Sequence, residues 1–349
     1  MKILIATDAW DPQVNGVVRT LQATIAEIRR RGITVKVVEP HNFQTFALPT
    51  YPDIRLAMAS AGSMRDILLR EQPDAVHIAT EGPVGWAMRQ ASLSLGRRFT
   101  TSYHTRFPEY VSARVPVPAW MTYAMLRHFH APAAHVMVST GSMRAELREH
   151  GFLNLVHWPR GVDTGLFHPH QPCGLDLPHQ PCVFDLPRPV FLSVSRLAVE
   201  KNVEAFLTLD LPGTKVVVGV GPQAESLRLR FPDARFLGLK QGPELAAIYA
   251  SADVFVFPSL TDTYGIVMLE AAASALPTAA FPVPGPLDVV GGTGAAALDH
   301  DLRKACMAAL LIPRDHCRAF ALTKSWSAAT DAFLGNLVPG IGQRLPSAA

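Results

Sequence analysis

Two carboxylates flank a point in the sequence where an anion can bind. Asp262 and Glu270 stand eight residues apart, with Gly265 between them. The apolar residues 254–257 before this pair predict a buried parallel strand. A polar loop follows, and the Ala-rich residues after Gly265 predict a helix. This stretch is therefore predicted to form a strand, a loop and a helix N-terminus.

A predicted helix N-terminus at Gly265, Ile266 and Val267 suits a diphosphate. The first N–H groups of a helix have no partner within it, and the helix dipole is positive at that end. Carboxylates repel phosphate, so a ligand that fits between Asp262 and Glu270 carries hydroxyl groups on both sides of the diphosphate. A nucleotide sugar has this pattern, with sugar hydroxyls toward Asp262 and ribose hydroxyls toward Glu270. The alternative is a solvated loop aspartate and a glutamate on a helix face.

Arg196 and Lys201 form a second candidate group. They stand five residues apart, after a predicted strand at 190–195 and before a helix predicted to start near Asn202, so both can reach the end of one strand. Two cations facing a diphosphate would stabilise the negative charge that grows as a sugar–phosphate bond breaks. A solvated surface pair is the alternative.

The elements that must position these residues alternate along the chain. In the first half, strand-like runs separated by helical segments fall at 2–7, 35–39, 75–80, 99–104 and 135–140. Alternation of this kind predicts an α/β fold whose parallel sheet is covered by helices on both faces. Ligand sites in such sheets lie outside the carboxyl ends of the strands. His104 ends one of the predicted strands, although a lone histidine is more often structural.

The segment PSLTDTYGIVMLEAAASALP closely resembles the family 4 glycosyltransferases, which are retaining enzymes of GT-B architecture. Their mark is an acidic residue, seven further residues and a glutamate, with an aromatic residue and a glycine between, here Tyr264 and Gly265. Asp262 stands where the family usually has glutamate, and its shorter side chain bears on sugar preference. The segment SRLAVEKN around Arg196 and Lys201 is similar to a second family motif.

The resemblance implies roles for further residues. Arg196 and Lys201 would hold the leaving diphosphate. His104 would lie by the anomeric carbon of the donor sugar. Gly16, in PQVNGVVRTL, would contact phosphate or acceptor through its main chain, and Gly221 would lie near the nucleotide.

The architecture that the resemblance implies is two Rossmann-like, doubly wound parallel-sheet domains facing across a cleft. The expected parts are an acceptor-side domain at 1–168, a linker at 169–188, a donor-side domain at 189–324, a helix at 325–338 that crosses back to the first domain, and a frayed tail at 339–349. The linker repeats HQPCGLDLP as HQPCVFDLP. A tandem duplication explains its His and Cys residues without zinc, and no metal site is assigned.

Composition restricts the partners and the location. A formal net charge of +3 gives no case for nucleic acid, whereas a pI near 8.7 permits contact with an anionic membrane surface. Four cysteines in 349 residues favour a reducing cytoplasm, and Asp8 and Asp11 come too early for a signal peptide. The residues 115–131 predict an amphipathic helix, which either packs on the sheet or lies peripherally at the inner membrane face.

The function implied is retaining α-glycosyl transfer of a hexose from a nucleoside-diphosphate sugar, of the GDP-mannose or UDP-glucose type, to a lipid or glycan acceptor. Such a mannosyltransferase-like enzyme of glycolipid biosynthesis would need no metal, no other cofactor and no protein nucleophile. The alternative is a catalytically inactive protein of the same fold that binds the nucleotide sugar. The unusual Asp262 is the residue that favours this alternative.

Overall fold

The computed structural model divides the chain into two α/β units. The structure describes residues 1–13, 15–48, 51–104, 106, 117–169 and 186–340. Unit 1 comprises Met1–Pro159 together with the chain from Trp326 onward, and unit 2 comprises Arg160–Ser325. This division differs from the predicted boundary at 168, because the segment that begins at Arg160 packs within unit 2.

The strands of the described residues are short and mostly buried. They are β1 (Lys2–Ala6), β2 (Thr34–Val38), β3 (Thr45–Leu48), β4 (Tyr51–Ala57), β5 (Ala75–Ile78), β6 (Thr100–Tyr103), β7 (Val136–Val138), β8 (Leu155–His157), β9 (Val190–Val194), β10 (Thr214–Val218), β11 (Arg235–Phe236), β12 (Val254–Phe257), β13 (Thr278–Ala280) and β14 (Ala296–Leu298). The strands predicted at 2–7, 35–39, 75–80, 99–104 and 135–140 are confirmed to within two residues at each end.

The helices of the described residues connect and cover these strands. They are α1 (Gly16–Arg30), α2 (Ala61–Glu71), α3 (Pro83–Ser94), α4 (Ala119–His130), α5 (Gly141–Glu149), α6 (Val203–Leu207), α7 (Ala224–Arg230), α8 (Gly242–Ser251), α9 (Ile266–Ala273), α10 (Pro284–Val289), α11 (Leu302–Ala309), α12 (Arg314–Leu322) and α13 (Trp326–Asn336). Two 3₁₀ turns, Pro40–Asn42 and Val199–Lys201, add to them.

Each unit contains one parallel sheet. The strand order is β2-β1-β5-β6-β7-β8 in unit 1 and β11-β10-β9-β12-β13-β14 in unit 2, and β3 and β4 form a separate antiparallel pair. All described pairings within the two sheets are parallel. The order reverses direction between β1 and β5 and again between β9 and β12. Ligands of doubly wound sheets bind at such points.

Both faces of each sheet are apolar because helices cover them. In β1, Ile3 and Ile5 pack into one hydrophobic cluster while Leu4 and Ala6 pack into another. In unit 2, β12 divides its side chains in the same way between two clusters. Because each strand is buried on both faces, its position in the sheet is fixed, and so is the point where the following loop begins.

The helix α13 packs in unit 1. Arg31 at the end of α1 pairs with Asp331, and the buried Phe333 lies in the cluster that contains β1. The backbone carbonyl of Asn336 accepts a hydrogen bond from the ring of His135 at 2.7 Å. The segment after Arg160 belongs instead with unit 2, where Phe167 packs edge-on against Tyr249 at 5.7 Å between ring centroids.

Candidate functional site

Most of the residues predicted to bind a nucleotide sugar lie in unit 2, where its strand order reverses. Arg196 and Lys201 follow β9, and Asp262 follows the neighbouring strand β12. The carboxyl ends of adjacent parallel strands lie at one edge of the sheet, so the two loops emerge side by side. The structure therefore brings both cations and this carboxylate to one edge.

Hydrogen bonds fasten the turn that carries Lys201 to the loop after β12. The Asn202 amide donates to the carbonyl of Pro258 at 3.1 Å, and the Ser259 hydroxyl donates to the carbonyl of Glu200 at 3.2 Å. Asn202 itself is in the left-handed conformation, with φ +51°, between the 3₁₀ turn and α6. The position of the Lys201 backbone is thus set by the same loop that positions Asp262.

Lys201 and Asp262 form an ion pair. The Lys201 ammonium contacts Asp262 Oδ1, and both side chains are mostly buried. Gly285 in α10 packs closely against the backbone of Asp262. A Cβ added to Gly285 would lie 2.5 Å from the Asp262 carbonyl oxygen. Only glycine permits this approach, so α10 limits the position of the Asp262 loop.

The loop of Arg196 is fixed by the glycine turn after β10. The N–H of Leu197 donates to the Val220 carbonyl at 2.9 Å. A Cβ on Gly219 would overlap the carbonyl oxygen of Ser195, and one on Gly221 would overlap that of Leu197. The Gly-x-Gly sequence is thus explained by close backbone packing that supports Arg196, while the nucleotide contact of Gly221 stays a prediction.

The helix α9 begins where the sequence predicts an anion site. Gly265 precedes its first residue with φ +78°, a conformation that favours glycine. Within the described part of the chain, no side chain caps this N-terminus. The N–H groups of Ile266 and Val267 belong to the first turn of the helix, so they have no acceptor within it. The helix end therefore presents donors and positive potential beside the loop of Asp262.

Glu270 is buried inside unit 2 and interacts with α8. Its side chain is 3% exposed, and its Oε2 accepts a hydrogen bond from the Tyr249 hydroxyl at 3.1 Å. Tyr249 is itself fully buried and was not predicted as a site residue. A carboxylate held in this way is fixed in orientation, while the predicted contact with ribose stays a prediction.

Tyr264 points into the protein, toward Arg160. Its hydroxyl is hydrogen-bonded to the Arg160 backbone, and burial raises the pKa of Tyr264 to about 12. The Arg160 guanidinium is also buried, which lowers its pKa to about 10. The aromatic residue of the acid-aromatic-glycine pattern therefore anchors the loop to unit 2 through Arg160, a contact that sequence reasoning missed.

His104 lies in unit 1, directly after β6. Its Nε2 is 2.9 Å from the hydroxyl of Ser102, and its ring packs edge-on against Trp158 at 5.6 Å between centroids. The side chain is thus placed at the carboxyl end of its sheet, as predicted from the sequence. Its predicted contact with the donor sugar stays a prediction.

Gly16 is the first residue of α1 in unit 1. The side chain of Asn15 caps this helix by accepting from the N–H groups of Val17 and Val18, both at 3.0 Å. No described atom lies within 4 Å of the position that a Cβ on Gly16 would take. Protein packing therefore does not require glycine here, and the predicted main-chain contact with phosphate or acceptor stays a prediction.

Asp8 is a candidate site residue that was not predicted from the sequence. It follows β1, and its carboxylate accepts from the N–H of Val84 at 2.8 Å and from the Thr80 hydroxyl at 2.8 Å. It lies at the N-terminus of α3, close to Gly82, where any side chain would overlap the carboxylate. Burial raises the pKa of Asp8 above its ordinary value, and the hydrogen bonds oppose that shift. A carboxylate therefore occupies the anion-attracting end of α3.

The predicted helix at 115–131 is α4, and it has two apolar sides. Leu126 and Phe129 are buried in the core of unit 1, whereas Trp120, Met121 and Met125 are 70%, 48% and 44% exposed. Core packing thus explains one side of the helix and leaves the other side at the surface. No helix formed by the described residues has the length and apolarity needed to cross a membrane.

Residues that could ligate a metal do not gather in the described part of the chain. No group of three His, Cys, Asp or Glu side chains converges there in a geometry suited to a metal ion. The duplicated HQPCxxDLP segment lies largely at 170–185, outside the described residues.

Comparison with known families matches two successive parts of the chain. Residues 14–166 match the Glycosyltransferase Family 4 domain, and residues 188–312 match the domain of Glycosyl transferases group 1. The chain belongs to glycosyltransferase family 4. Its fold is accordingly α/β of the GT-B class, with two Rossmann-like parallel-sheet domains.

Relatives that this family 4 chain matches over most of their length carry the names of sugar-transferring enzymes. It is 28% identical to a GDP-mannose-dependent alpha-mannosyltransferase of Mycobacterium tuberculosis, over 100% of this chain and 99% of the relative. It is 25% identical to an alpha-monoglucosyldiacylglycerol synthase of Streptococcus pneumoniae, over 90% of this chain and 79% of the relative. The chain is a glycosyltransferase related to enzymes of glycolipid synthesis.

A solved structure supports the fold independently of sequence. Sucrose-phosphate synthase from Thermosynechococcus elongatus superposes with a TM-score of 0.73 at 17% identity, over 96% of this chain and 97% of the other. At this identity the likeness concerns architecture alone.

Proposed function

We propose that this glycosyltransferase is a retaining α-hexosyltransferase that uses a nucleoside-diphosphate sugar, of the GDP-mannose or UDP-glucose type, and a lipid or glycan acceptor. The observation that carries the proposal is in unit 2: Arg196 and Lys201 are held at the same sheet edge as the uncapped N-terminus of α9. The name of the mannosyltransferase relative supports mannose as the sugar, and the name of the monoglucosyldiacylglycerol synthase supports glucose as the sugar and a lipid as the acceptor.

The diphosphate is the part of the donor that this edge suits best. The N–H groups of Ile266 and Val267 donate to its oxygens, and Arg196 and Lys201 supply positive charge. The Asp262 carboxylate, beside Lys201, accepts hydrogen bonds from sugar hydroxyls. Glu270, oriented by Tyr249, takes the ribose hydroxyls at the other end of the diphosphate.

The reaction breaks the bond between the anomeric carbon and the diphosphate oxygen. Negative charge then accumulates on the leaving diphosphate, where Arg196, Lys201 and the end of α9 stabilise it. The acceptor oxygen attacks the same face of the sugar, and a diphosphate oxygen takes its proton. His104 lies by the anomeric carbon. The proposed mechanism uses no protein nucleophile, metal ion or other cofactor, because positioning and charge stabilisation suffice.

Release of free nucleoside diphosphate tests this function. The purified protein is incubated with each common nucleotide sugar, with and without a lipid extract, and the released nucleoside diphosphate is measured. The expected result is turnover with one donor that increases when lipid is present. Arg196→Ala should reduce this turnover about 100-fold, because a group that stabilises the transition state is lost.

The alternative, an inactive binding protein, predicts a different result. A protein that binds UDP or GDP but releases none from any donor, with any extract, would contradict the enzymatic proposal. Asp262 is the residue to change in that case, since Asp262→Glu restores the acid that the family usually carries at this position.

A further inference from the structure

A glutamate at the carboxyl edge of the sheet of unit 1 is held by a buried histidine. Glu81 lies in the loop between β5 and α3. Its Oε1 is 3.2 Å from Nε2 of His130, the last residue of α4. The side chain of His130 is 2% exposed and that of Glu81 is 21% exposed. Solvent therefore reaches the glutamate but hardly reaches the histidine.

Glu81 follows the strand at which the strand order of unit 1 reverses. At the end of this strand, Ile78 pairs with Ala6 of β1 on one side and with Thr101 of β6 on the other. The loop that carries Glu81 therefore leaves the sheet between the ends of β1 and β6, where ligands of doubly wound sheets bind. The groups proposed to bind the donor lie at the corresponding point of unit 2, so this edge of unit 1 is left for the acceptor.

Two carboxylates lie at this edge, and the fold occupies one of them fully. Asp8 accepts hydrogen bonds from the N–H of Val84 and from the Thr80 hydroxyl, so it serves the junction with α3. The Glu81 side chain does not cap α3, and among the described residues His130 is its one hydrogen-bond partner. Glu81 is therefore the carboxylate at this edge that has capacity left for a ligand.

The position of His130 is fixed by its neighbours. Its Nδ1 is 2.8 Å from the Thr101 hydroxyl. Arg89 of α3 donates to the backbone carbonyls of Phe129 and His128, both at 2.9 Å, and so fastens the end of α4 to α3. An ionised carboxylate only accepts hydrogen bonds, so Nε2 of His130 is the donor to it. Packing alone does not require this pair, because apolar side chains of similar volume fill a buried place at a lower cost in desolvation.

We propose that Glu81 is an acceptor-binding residue, which accepts a hydrogen bond from a hydroxyl of the acceptor head group, and that His130 is a positioning residue that orients the Glu81 carboxylate. A carboxylate forms strong hydrogen bonds with hydroxyl groups, so the head group is one that carries them, a sugar or glycerol. The inference rests on the proposed function, since it assigns the acceptor side of that reaction.

Steady-state kinetics with two defined acceptors test the role of Glu81. 1,2-Dioleoylglycerol and its α-monoglucosyl derivative are each presented in phosphatidylcholine vesicles, together with the donor that the wild type uses. The lipid that supports transfer identifies glycerol or sugar as the head group. Glu81→Gln should raise the KM for this lipid about tenfold, because a charged hydrogen-bond acceptor becomes a neutral one. The donor KM should change less than about twofold.

A matched set of variants tests the role of His130. His130→Gln keeps an N–H donor for Glu81 and should leave the acceptor KM close to that of the wild type. His130→Leu removes the donor and should raise the acceptor KM about fivefold. Arg97→Met is the control, because Arg97 is 7% exposed and bonds the Pro73 carbonyl at the opposite edge of the same sheet. It should lower thermal stability and leave the acceptor KM unchanged.

Hydrolysis of the donor without lipid separates acceptor binding from damage to the fold. Glu81→Gln and His130→Leu should keep this hydrolysis within about twofold of the wild type. An unchanged acceptor KM in Glu81→Gln, or hydrolysis that falls as much as transfer, overturns the role of Glu81. An unchanged acceptor KM in His130→Leu overturns the role of His130.

The wild type alone tests the class of head group. If it uses neither defined lipid but responds to a lipid extract, the hydroxylated head group is wrong, while the proposed function stands. If it releases nucleoside diphosphate from no nucleotide sugar, the proposed function is overturned and this inference with it.

Discussion

The ion pair between Lys201 and Asp262 joins two residues with different proposed partners on the donor. Lys201 is expected to contact the diphosphate, which the Asp262 carboxylate repels. Asp262→Asn should therefore tighten binding of the free nucleoside diphosphate about two- to fivefold, a range set by the partial solvent exposure of the pair. The same change should lower turnover with the complete donor, because sugar hydroxyls lose a charged acceptor. Calorimetric titration and a turnover assay measure the two effects.

Replacement of Lys201 should have the opposite effect on nucleotide affinity. Lys201→Ala is expected to weaken nucleoside-diphosphate binding about tenfold, because a mostly buried cation facing the phosphates is lost. Lys304→Ala, an exposed lysine elsewhere in unit 2, is the control and should leave the affinity unchanged. Weaker binding in Asp262→Asn would contradict the prediction and would mean that Asp262 holds Lys201 in its binding position.

Gly285 tests whether the backbone position of Asp262 matters. A methyl group at this position would lie 2.5 Å from the Asp262 carbonyl oxygen, so the loop must move. Gly285→Ala is expected to lower kcat more than about tenfold, because a small displacement of a positioning group is costly. Gly335→Ala is the control, since nothing lies within 4 Å of its added Cβ in α13. Equal kcat values for the two variants would show that the loop tolerates the shift.

The elements were more predictable from sequence than the contacts between them. Apolar runs such as 254–257 predict buried parallel strands. The glycines and polar residues after these runs predict the loops that carry Arg196 and Asp262. The prolines at 282, 284 and 286 predict a loop, but α10 begins at Pro284 because proline is tolerated in the first turn of a helix.

Contacts between residues that are distant in sequence could not be predicted, because they produce no periodic pattern in the sequence. The hydrogen bond from Tyr249 to Glu270 joins two helices. The contact of Tyr264 with Arg160 joins a loop residue to the first residue of unit 2, far from it in sequence. In the sequence, Asp8 argues only against a signal peptide. Its place at α3 depends on β1 and β5 being neighbours, which the strand order determines.

The junction of Asp8 with α3 should make the stability of unit 1 depend on pH. The pKa of Asp8 in the folded chain is raised above 3.8, so folding favours the protonated form. Its contribution to the free energy of unfolding is therefore largest below that value and falls as the pH rises through the folded pKa. Asp8→Asn removes this titration. Relative to the variant, the wild type should lose thermal stability as the pH rises from the ordinary pKa of an aspartate through the raised pKa of Asp8 in the folded chain.

Thermal unfolding measured across this pH range checks the sign of the effect. Asp66→Asn changes an exposed carboxyl on α2 and serves as the control. The difference between wild type and Asp8→Asn should change with pH, while the difference between wild type and Asp66→Asn should change less. A wild type that gains stability over Asp8→Asn as the pH rises would mean that the hydrogen bonds from Val84 and Thr80 outweigh burial.

For the whole molecule, a lipid acceptor requires contact with a membrane surface, and α4 is the proposed contact. Its exposed Trp120 lies on the same side of the helix as Arg127, which is seven residues further on, and the exposed Met121 and Met125, four residues apart, lie on the adjoining side. An apolar face with a cation suits an anionic bilayer, where each buried large side chain contributes about 1.5–3 kcal/mol and each cation about 1 kcal/mol. The net charge of +3 adds no general repulsion from such a surface.

Co-sedimentation of the full chain with lipid vesicles tests this contact. Binding is expected to vesicles that contain phosphatidylglycerol and to fall with salt and in neutral vesicles, because the cation contribution is screened. The combined change Trp120→Ser, Met121→Ser and Met125→Ser should abolish binding. The control Leu311→Ser removes an exposed leucine from unit 2 and should bind like the wild type.

The decisive assay is donor hydrolysis without lipid, which the triple variant should retain. If the variant loses that activity as well, the changes have damaged unit 1, and if it still binds vesicles, the membrane contact lies elsewhere.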